Sequence, residues 1–235
     1  MGCLHRTMHR YTVGLARTPA DLQAAQRLRY RVFAEELGAR LDSPVTGLDA
    51  DSFDAYCDHL LVRAGDEVVG TYRLLPPGRK DRLYSDTEFD ASALDPLRSD
   101  LVEVGRSCVH PDHRRGAVIG LMWAGIARYM SEGGYGWLAG CCSVPLADAA
   151  HIVERVPFGP AEYRVKPLAP WVDVEPDPSH AFVMPPLLRG YLRLGAWICG
   201  EPAHDAAFGC ADFLVLLSMA QVDRRYLRHF LGASA

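Results

Sequence analysis

The 235-residue sequence contains no long apolar run. Its apolar stretches, such as Phe213–Leu217, fall far short of the ~20 residues that a membrane-spanning helix needs. A membrane-spanning protein is thereby excluded. Met1–Thr18 lacks the apolar core of a secretory signal, so the seven cysteines read as reduced cytosolic thiols packed as small hydrophobes. Internal repeats and low-complexity tracts are absent too. A basic excess is missing as well: 25 Lys and Arg against 29 Asp and Glu give a net charge of −4, which argues against a general nucleic-acid binder. What is present is 49% hydrophobic and 23% charged residues, enough to bury a core without disulfides or metal staples.

The charge is uneven. Met1–Arg31 holds six Arg and one Asp, while Asp42–Asp58 holds five Asp and no basic residue. A basic arm suits a solvated helix surface, or contact with anionic lipid or a carrier protein. The acidic stretch favours an ammonium group.

Periodicity predicts a helix over Pro19–Leu37, with Thr18 as N-cap and Pro19 at the first helical position. A hairpin follows, from His59–Arg63 to Val68–Leu75. Next come a strand over Leu101–Val109, a helix over Gly116–Ser131, a strand over Gly136–Cys142 and a helix over Leu146–Arg155. Pro167–Pro186 carries six prolines and reads as an irregular crossing. A helix near Leu187–Leu194, a strand near Asp212–Leu217 and a short Arg-rich helix close the chain. This order predicts one α/β domain over 1–235, with a mixed central sheet flanked by helices. Its core spans about 18–165 and an α/β extension covers 166–235.

The densest segment runs from strand Leu101–Val109 through His110-Pro-Asp-His-Arg-Arg-Gly116 into a helix. Free amides at that helix N-terminus, with Arg114 and Arg115 beside them and small Gly116 and Ala117, suit a pyrophosphate or phosphopantetheine arm. An ordinary strand–turn–helix with surface arginines explains the same residues.

Arg114-Arg-Gly-Ala-Val-Ile119 resembles the Arg/Gln-x-x-Gly-x-Gly/Ala acyl-carrier loop of the GNAT superfamily of N-acetyltransferases, departing from it at Ile119. Arg29-Tyr-Arg-Val-Phe33, Phe53-Asp-Ala-Tyr-Cys-Asp58, Gly70-Thr-Tyr-Arg-Leu-Leu75 and Glu103-Val-Gly-Arg106 follow in the order seen in acyl-homoserine-lactone synthases. The resemblance is closer still to ornithine–acyl carrier protein N-acyltransferases and their haemolysin-like relatives. Cys57-Asp-His-Leu-Leu-Val62, Gly105-Arg-Ser-Cys-Val-His-Pro111 and Pro186-Leu-Leu-Arg-Gly-Tyr-Leu-Arg-Leu-Gly195 carry it. Arg189 stands where those relatives have Lys.

The resemblance implies a GNAT-like fold and transfer of an acyl group from carrier protein or CoA to the α-amine of an amino acid. Ornithine is the favoured acceptor, with glycine and lysine behind it. No permanently bound cofactor or metal is expected; the acyl thioester is a co-substrate. The expected setting is the cytoplasm, with peripheral contact at the inner membrane face. Glu103 would be the general base, since burial raises a carboxyl toward neutral. Arg106 falls on the opposite face of an ideal strand, and the resemblance implies a bulge that turns both inward. Amides at that bulge, near Cys108 and Val109, would hold the thioester oxyanion. Asp54 and Asp58 would attract the amine, with Arg31 and Arg73 anchoring a carboxylate or holding those Asp. A purely structural ion-pair network around the first helix is the competing reading. Phe33 and Trp123 would line an acyl tunnel or be plain core. Ser143 would bond substrate or the leaving thiol. Ile119 and the apolar tail favour a fatty chain over acetyl.

Three other activities compete: lactone synthesis, small-molecule acetylation, and acyl binding without catalysis. The loop after the first helix lacks the Trp expected of a lactone synthase. Cys108, His110 and His113 lack a fourth ligand at zinc spacing. Cys141 or Cys142 with His151 would be a thiol nucleophile, which direct aminolysis does not need.

Overall fold

A computed structural model describes residues 11–114, 116–172 and 182–223. Strands β1 (Tyr11–Leu15), β2 (Asp58–Ala64), β3 (Glu67–Leu75), β5 (Leu101–Val109), β6 (Trp137–Pro145), β10 (Cys210–Ser218) and β8 (Trp197–Ile198) form the main sheet in that spatial order, with β9 (Ala203–Asp205) also paired to β10. Short β4 (Phe89–Asp90) and β7 (Lys166–Pro167) pair separately. All neighbours in the main sheet are antiparallel except β5 and β6.

Helices cover both faces. Helix α1 (Pro19–Tyr30) starts at a capping box in which Thr18 Oγ1 accepts from the Asp21 N–H at 3.2 Å. Helix α2 (Ala117–Gly133) lies on the opposite side, joined there by α3 (Leu146–Arg155) and α4 (Pro186–Arg193). Val118, Met122, Ile126 and Met130 recur at helical spacing on α2 and pack on Leu60, Val62, Tyr72 and Val104 of the sheet. With both faces covered, β3 is buried at every residue after Glu67.

The chain departs from the predicted elements in three places. The expected helix over Pro19–Leu37 changes at Arg31 into a π-helical turn, Arg31–Glu36. Edge strand β1 lies ahead of the expected start of the core. The extension is not peripheral: its β10 pairs with all nine residues of β6. The predicted closing Arg-rich helix lies outside the described residues.

Candidate active site

Parallel β5 and β6 are in register only over Leu101–Glu103 and Trp137–Ala139. Gly140 marks the fork: a Cβ there would sit 2.3 Å from the Val104 carbonyl oxygen. Beyond it the strands diverge, and a cavity of about 270 Å³ opens between them. Glu103, Arg106 and Ser107 of β5 line one side, and Cys141 and Ser143 of β6 the other.

Two residues of β5 are responsible for the way Glu103 and Arg106 converge. Cys108 stands opposite Thr71 and Gly105 opposite Arg73, so Arg106 and Ser107 together face Tyr72 alone. This bulge re-aims the strand, and Arg106 takes a left-handed φ of 50° there. Both predicted side chains therefore reach one cavity. The irregular backbone falls at Arg106 and Ser107, not at Cys108 and Val109, which are back in register with Thr71 and Gly70.

Glu103 is 6% exposed and accepts the N–H groups of Tyr84 at 2.6 Å and Ser85 at 2.8 Å. Burial pushes its carboxyl up, against the pull of those hydrogen bonds and of the Arg73 charge. A carboxyl poised this way can accept a proton from a neighbouring ammonium.

Behind the cavity lies an alternating charge network. Arg29, fully buried, meets Asp54 at 2.7 Å and Asp49 at 2.9 Å. Arg73 meets Asp51 at 2.6 Å and Asp54 at 3.1 Å. Arg106 stands farther off, 3.4 Å from Asp49 and 3.6 Å from Asp51, over the rings of Tyr84 and Phe208. Burial raises the Asp54 carboxyl, but Arg29, Gln26 and Arg73 outweigh it and hold it well below its ordinary range.

Two amine-site expectations are corrected here. Arg31 is exposed and contacts His110 on the far side of α1; residues two apart on a helix lie about 200° apart, so Arg29 occupies the inward position instead. Asp58 bonds Arg79 at 3.0 Å and the Tyr129 hydroxyl of α2 at 2.7 Å, away from the cavity. Successive strand residues point to opposite faces, and Asp58 takes the α2 face while His59 reaches toward Asp54. Asp54 and Arg73 are brought together, joined by Asp49 and Asp51, which the sequence reading missed. Asp51 sits three residues before Asp54, and its Oδ1 accepts the Phe53 and Asp54 N–H groups, which fixes the chain entering the turn Asp54–Tyr56. That spacing was the available signal.

A second, mostly apolar groove of about 560 Å³ runs from the π-helical turn to α2. Val32, Phe33, Cys108, Val109, Arg114, Gly116, Ile119 and Trp123 line it. Phe33 also lines the Glu103 cavity and meets Phe208 edge-on; Trp123 stacks on Tyr191. Ala117 begins α2 directly after Gly116, whose φ of 92° favours glycine. Arg114 is occupied: it pairs with Glu36 at 2.7 Å and donates Nε–H to the Val109 carbonyl at 3.0 Å. Arg115 lies outside the described residues. The Cys108 side chain packs under α1 with Leu28 and Val32. Burial pushes the Cys108 and Cys142 thiols up to about 12 and Cys141 well above its ordinary value, so these cysteines stay protonated and make poor nucleophiles.

With this geometry in view, the likenesses to known proteins are specific. Residues 28–124 match the acetyltransferase (GNAT) domain. FeeM, an N-acyl amino acid synthase from uncultured soil microbes, superposes with a TM-score of 0.59 at 15% identity, covering 90% of this chain and 91% of that one. The CoA-dependent acyl-homoserine lactone synthase BjaI superposes with a TM-score of 0.59 at 18% identity, covering 94% and 88%. These show the fold. The L-ornithine N(alpha)-acyltransferase of Brucella abortus (strain 2308) is 36% identical, over 95% of this chain and 89% of its own length. That of Rhizobium meliloti (strain 1021) is also 36% identical, over 94% and 84%. An acyltransferase on the GNAT fold, the chain belongs to the L-ornithine N(alpha)-acyltransferase family.

Proposed function

We propose that this chain transfers a fatty acyl group from a carrier-protein or CoA thioester to the α-amine of ornithine. One observation carries the reading: the cavity holding Glu103 and Arg106 meets the apolar groove at Phe33, Leu37, Ser107 and Leu187. An amine in the first and a thioester in the second come together at the β5 bulge.

Each group then has work to do. Arg106, less firmly held than Arg29 or Arg73, takes the acceptor's carboxylate. Glu103 removes a proton from the ammonium, and the freed lone pair attacks the thioester carbonyl. Backbone N–H groups at the bulge stabilise the oxyanion that forms. The C–S bond breaks, the attacking nitrogen gives its second proton to the departing thiolate, and Glu103 returns the first to solvent. The groove from Val109 past Gly116 accepts the pantetheine arm, and Phe33, Ile119 and Trp123 take the acyl chain.

The test incubates the purified chain with palmitoyl-carrier protein, palmitoyl-CoA or acetyl-CoA and ornithine. Thiol release and product mass are followed together. Nα-palmitoyl ornithine is expected, and no thiol release above background from any donor would refute the proposal.

A further inference from the structure

The Glu103 cavity has a second charged wall that the reaction above leaves unused. Glu88, Asp205 and Asp212 stand there, just before β4, at the end of β9 and on β10. Carboxylate oxygens of Glu88 and Asp212 and the Cys141 sulfur all lie within 4.8 Å of one another. Asp212 is 4% exposed, with Ser143 its register partner on β6. Oε2 of Glu88 is closed off from solvent and accepts no hydrogen bond from the described residues. Buried acceptors are nearly always satisfied, so this carboxylate is one partner short, and the cavity that Glu88 lines can supply it from a ligand.

The facing wall is cationic, through Arg73 and Arg106. A cavity with opposite charges on its two walls fits a molecule with a carboxylate at one end and a cation at the other. Two adjacent carboxylates also need a positive charge or a proton between them. Burial, reinforced by the Asp212 charge, pushes the Glu88 carboxyl up to about 8, so a proton fills that place near neutral pH until a cation displaces it.

We infer that Glu88, Asp212 and Asp205 grip the side-chain ammonium of a diamino acid and thereby decide which of its two amines is acylated. This rests on the proposed transfer to ornithine. An ammonium held between carboxylates keeps its proton and has no lone pair with which to attack. The α-amine is then the one presented to Glu103, with its carboxylate on Arg106. An apolar side chain of the same length would leave the carboxylates without a counter-charge.

The test compares ornithine with norvaline, the same carbon skeleton without the terminal amine. Wild type, Glu88→Gln and Asp212→Asn are assayed after circular dichroism confirms folding. Wild type should prefer ornithine by about a hundredfold or more in kcat/KM and yield the Nα product alone. In either variant the preference should shrink at least severalfold, and Nδ-acyl ornithine should appear by tandem mass spectrometry. Calorimetric titration of both amino acids without donor reads the same preference as Kd. It stands even where no thiol is released, a result that would sink acyl transfer and not the grip. A folded variant with wild-type preference and regiochemistry overturns the inference, as does equal loss on both amino acids. Stoichiometric zinc binding that vanishes in Glu88→Gln would assign the cluster to a metal and overturn it too. Where neither variant folds, the wild-type titration decides: equal Kd for ornithine and norvaline refutes it, and a marked preference supports it.

Discussion

Replacing Asp54 by Asn keeps the shape of the side chain and deletes its charge. In the protein that charge satisfies two arginines at once, Arg29 at 2.7 Å and Arg73 at 3.1 Å. Arg29 has no exposed side-chain surface, so water cannot make up the loss. Removing one partner of a buried ion pair costs about 3–5 kcal/mol. Asp49 remains 2.9 Å from Arg29 and Asp51 remains 2.6 Å from Arg73, which places this case at the lower end, about 3 kcal/mol. In a chain of this length each kcal/mol moves the melting temperature by about 2–4 °C, so a fall of about 6–12 °C is expected in a thermal melt at pH 7. The pH dependence has a definite sign. The folded Asp54 carboxyl titrates below its ordinary value of 3.8. Its stabilisation is therefore complete above about pH 4 and drains away as pH falls through the folded value. The gap between wild type and variant should be widest near neutrality and narrow on acidification. A variant that melts within about 1 °C of wild type at pH 7 would show that the network does not hold the loop to α1.

Glu103→Gln should leave donor binding intact and lower kcat by about 10²–10⁴-fold; rates within about threefold of wild type would remove Glu103 from the proton transfer. Gly140→Ala should lower stability by about 1–3 kcal/mol, because the added methyl meets the Val104 carbonyl oxygen at 2.3 Å, and an unchanged melting temperature would mean that the fork opens freely. Donor binding should tighten by about tenfold for each two carbons added to the acyl chain, at ~0.8 kcal/mol per methylene, until the groove ends. A maximum of kcat/KM at acetyl would contradict a fatty-acyl groove.

Where the sequence carries a strong local signal, it is legible to the residue. Strand Leu101–Val109 and helix Leu146–Arg155 have the predicted bounds. The bounds follow from an apolar strand run ending at His110-Pro111 and from an amphipathic helix beginning after Pro145. Strand β1 is five residues long, at an edge, with no fully buried position, so its burial pattern is faint. The π-helical turn after Tyr30 leaves no periodic mark, since apolar residues at i and i+4 suit either helix. The site was half legible. Glu103, Arg106 and Arg73 stand on strands whose direction is fixed by burial. Arg31 lies two residues from the inward Arg29, and Asp58 follows Asp51 within one short segment. There a shift of two residues on a helix, or the turn geometry before β2, decides which side chain faces inward. The wall of Glu88, Asp205 and Asp212 had no local signal: the pairing of β10 with β9 brings Asp205 and Asp212 near each other, and Glu88 comes from far earlier in the chain, just before β4.

The segment matching the GNAT domain ends at residue 124, and it contains Glu103, Arg106, the Asp–Arg network and the turn at Gly116. In the proposed reaction it supplies the thioester site and the general base. It contributes one wall of the cavity and, in Glu88, part of the other; Cys141, Ser143, Asp205 and Asp212 come later in the chain. Of these, Asp205 and Asp212 stand on β9 and β10; β10 pairs onto the edge that β6 would otherwise expose, and β9 pairs onto β10. The pairing hides the edge of β6 and sets charge opposite Arg73 and Arg106 in one step. Substitutions on β10 that face the cavity should therefore change which amine is used while leaving the donor KM alone. Substitutions along the groove, at Ile119 or Trp123, should do the reverse. The two sets can be scored in one assay, by varying ornithine at fixed donor and then donor at fixed ornithine. A β10 variant such as Asp212→Asn that raises the donor KM as much as the ornithine KM would show that the two halves of the cleft are not separable in this way.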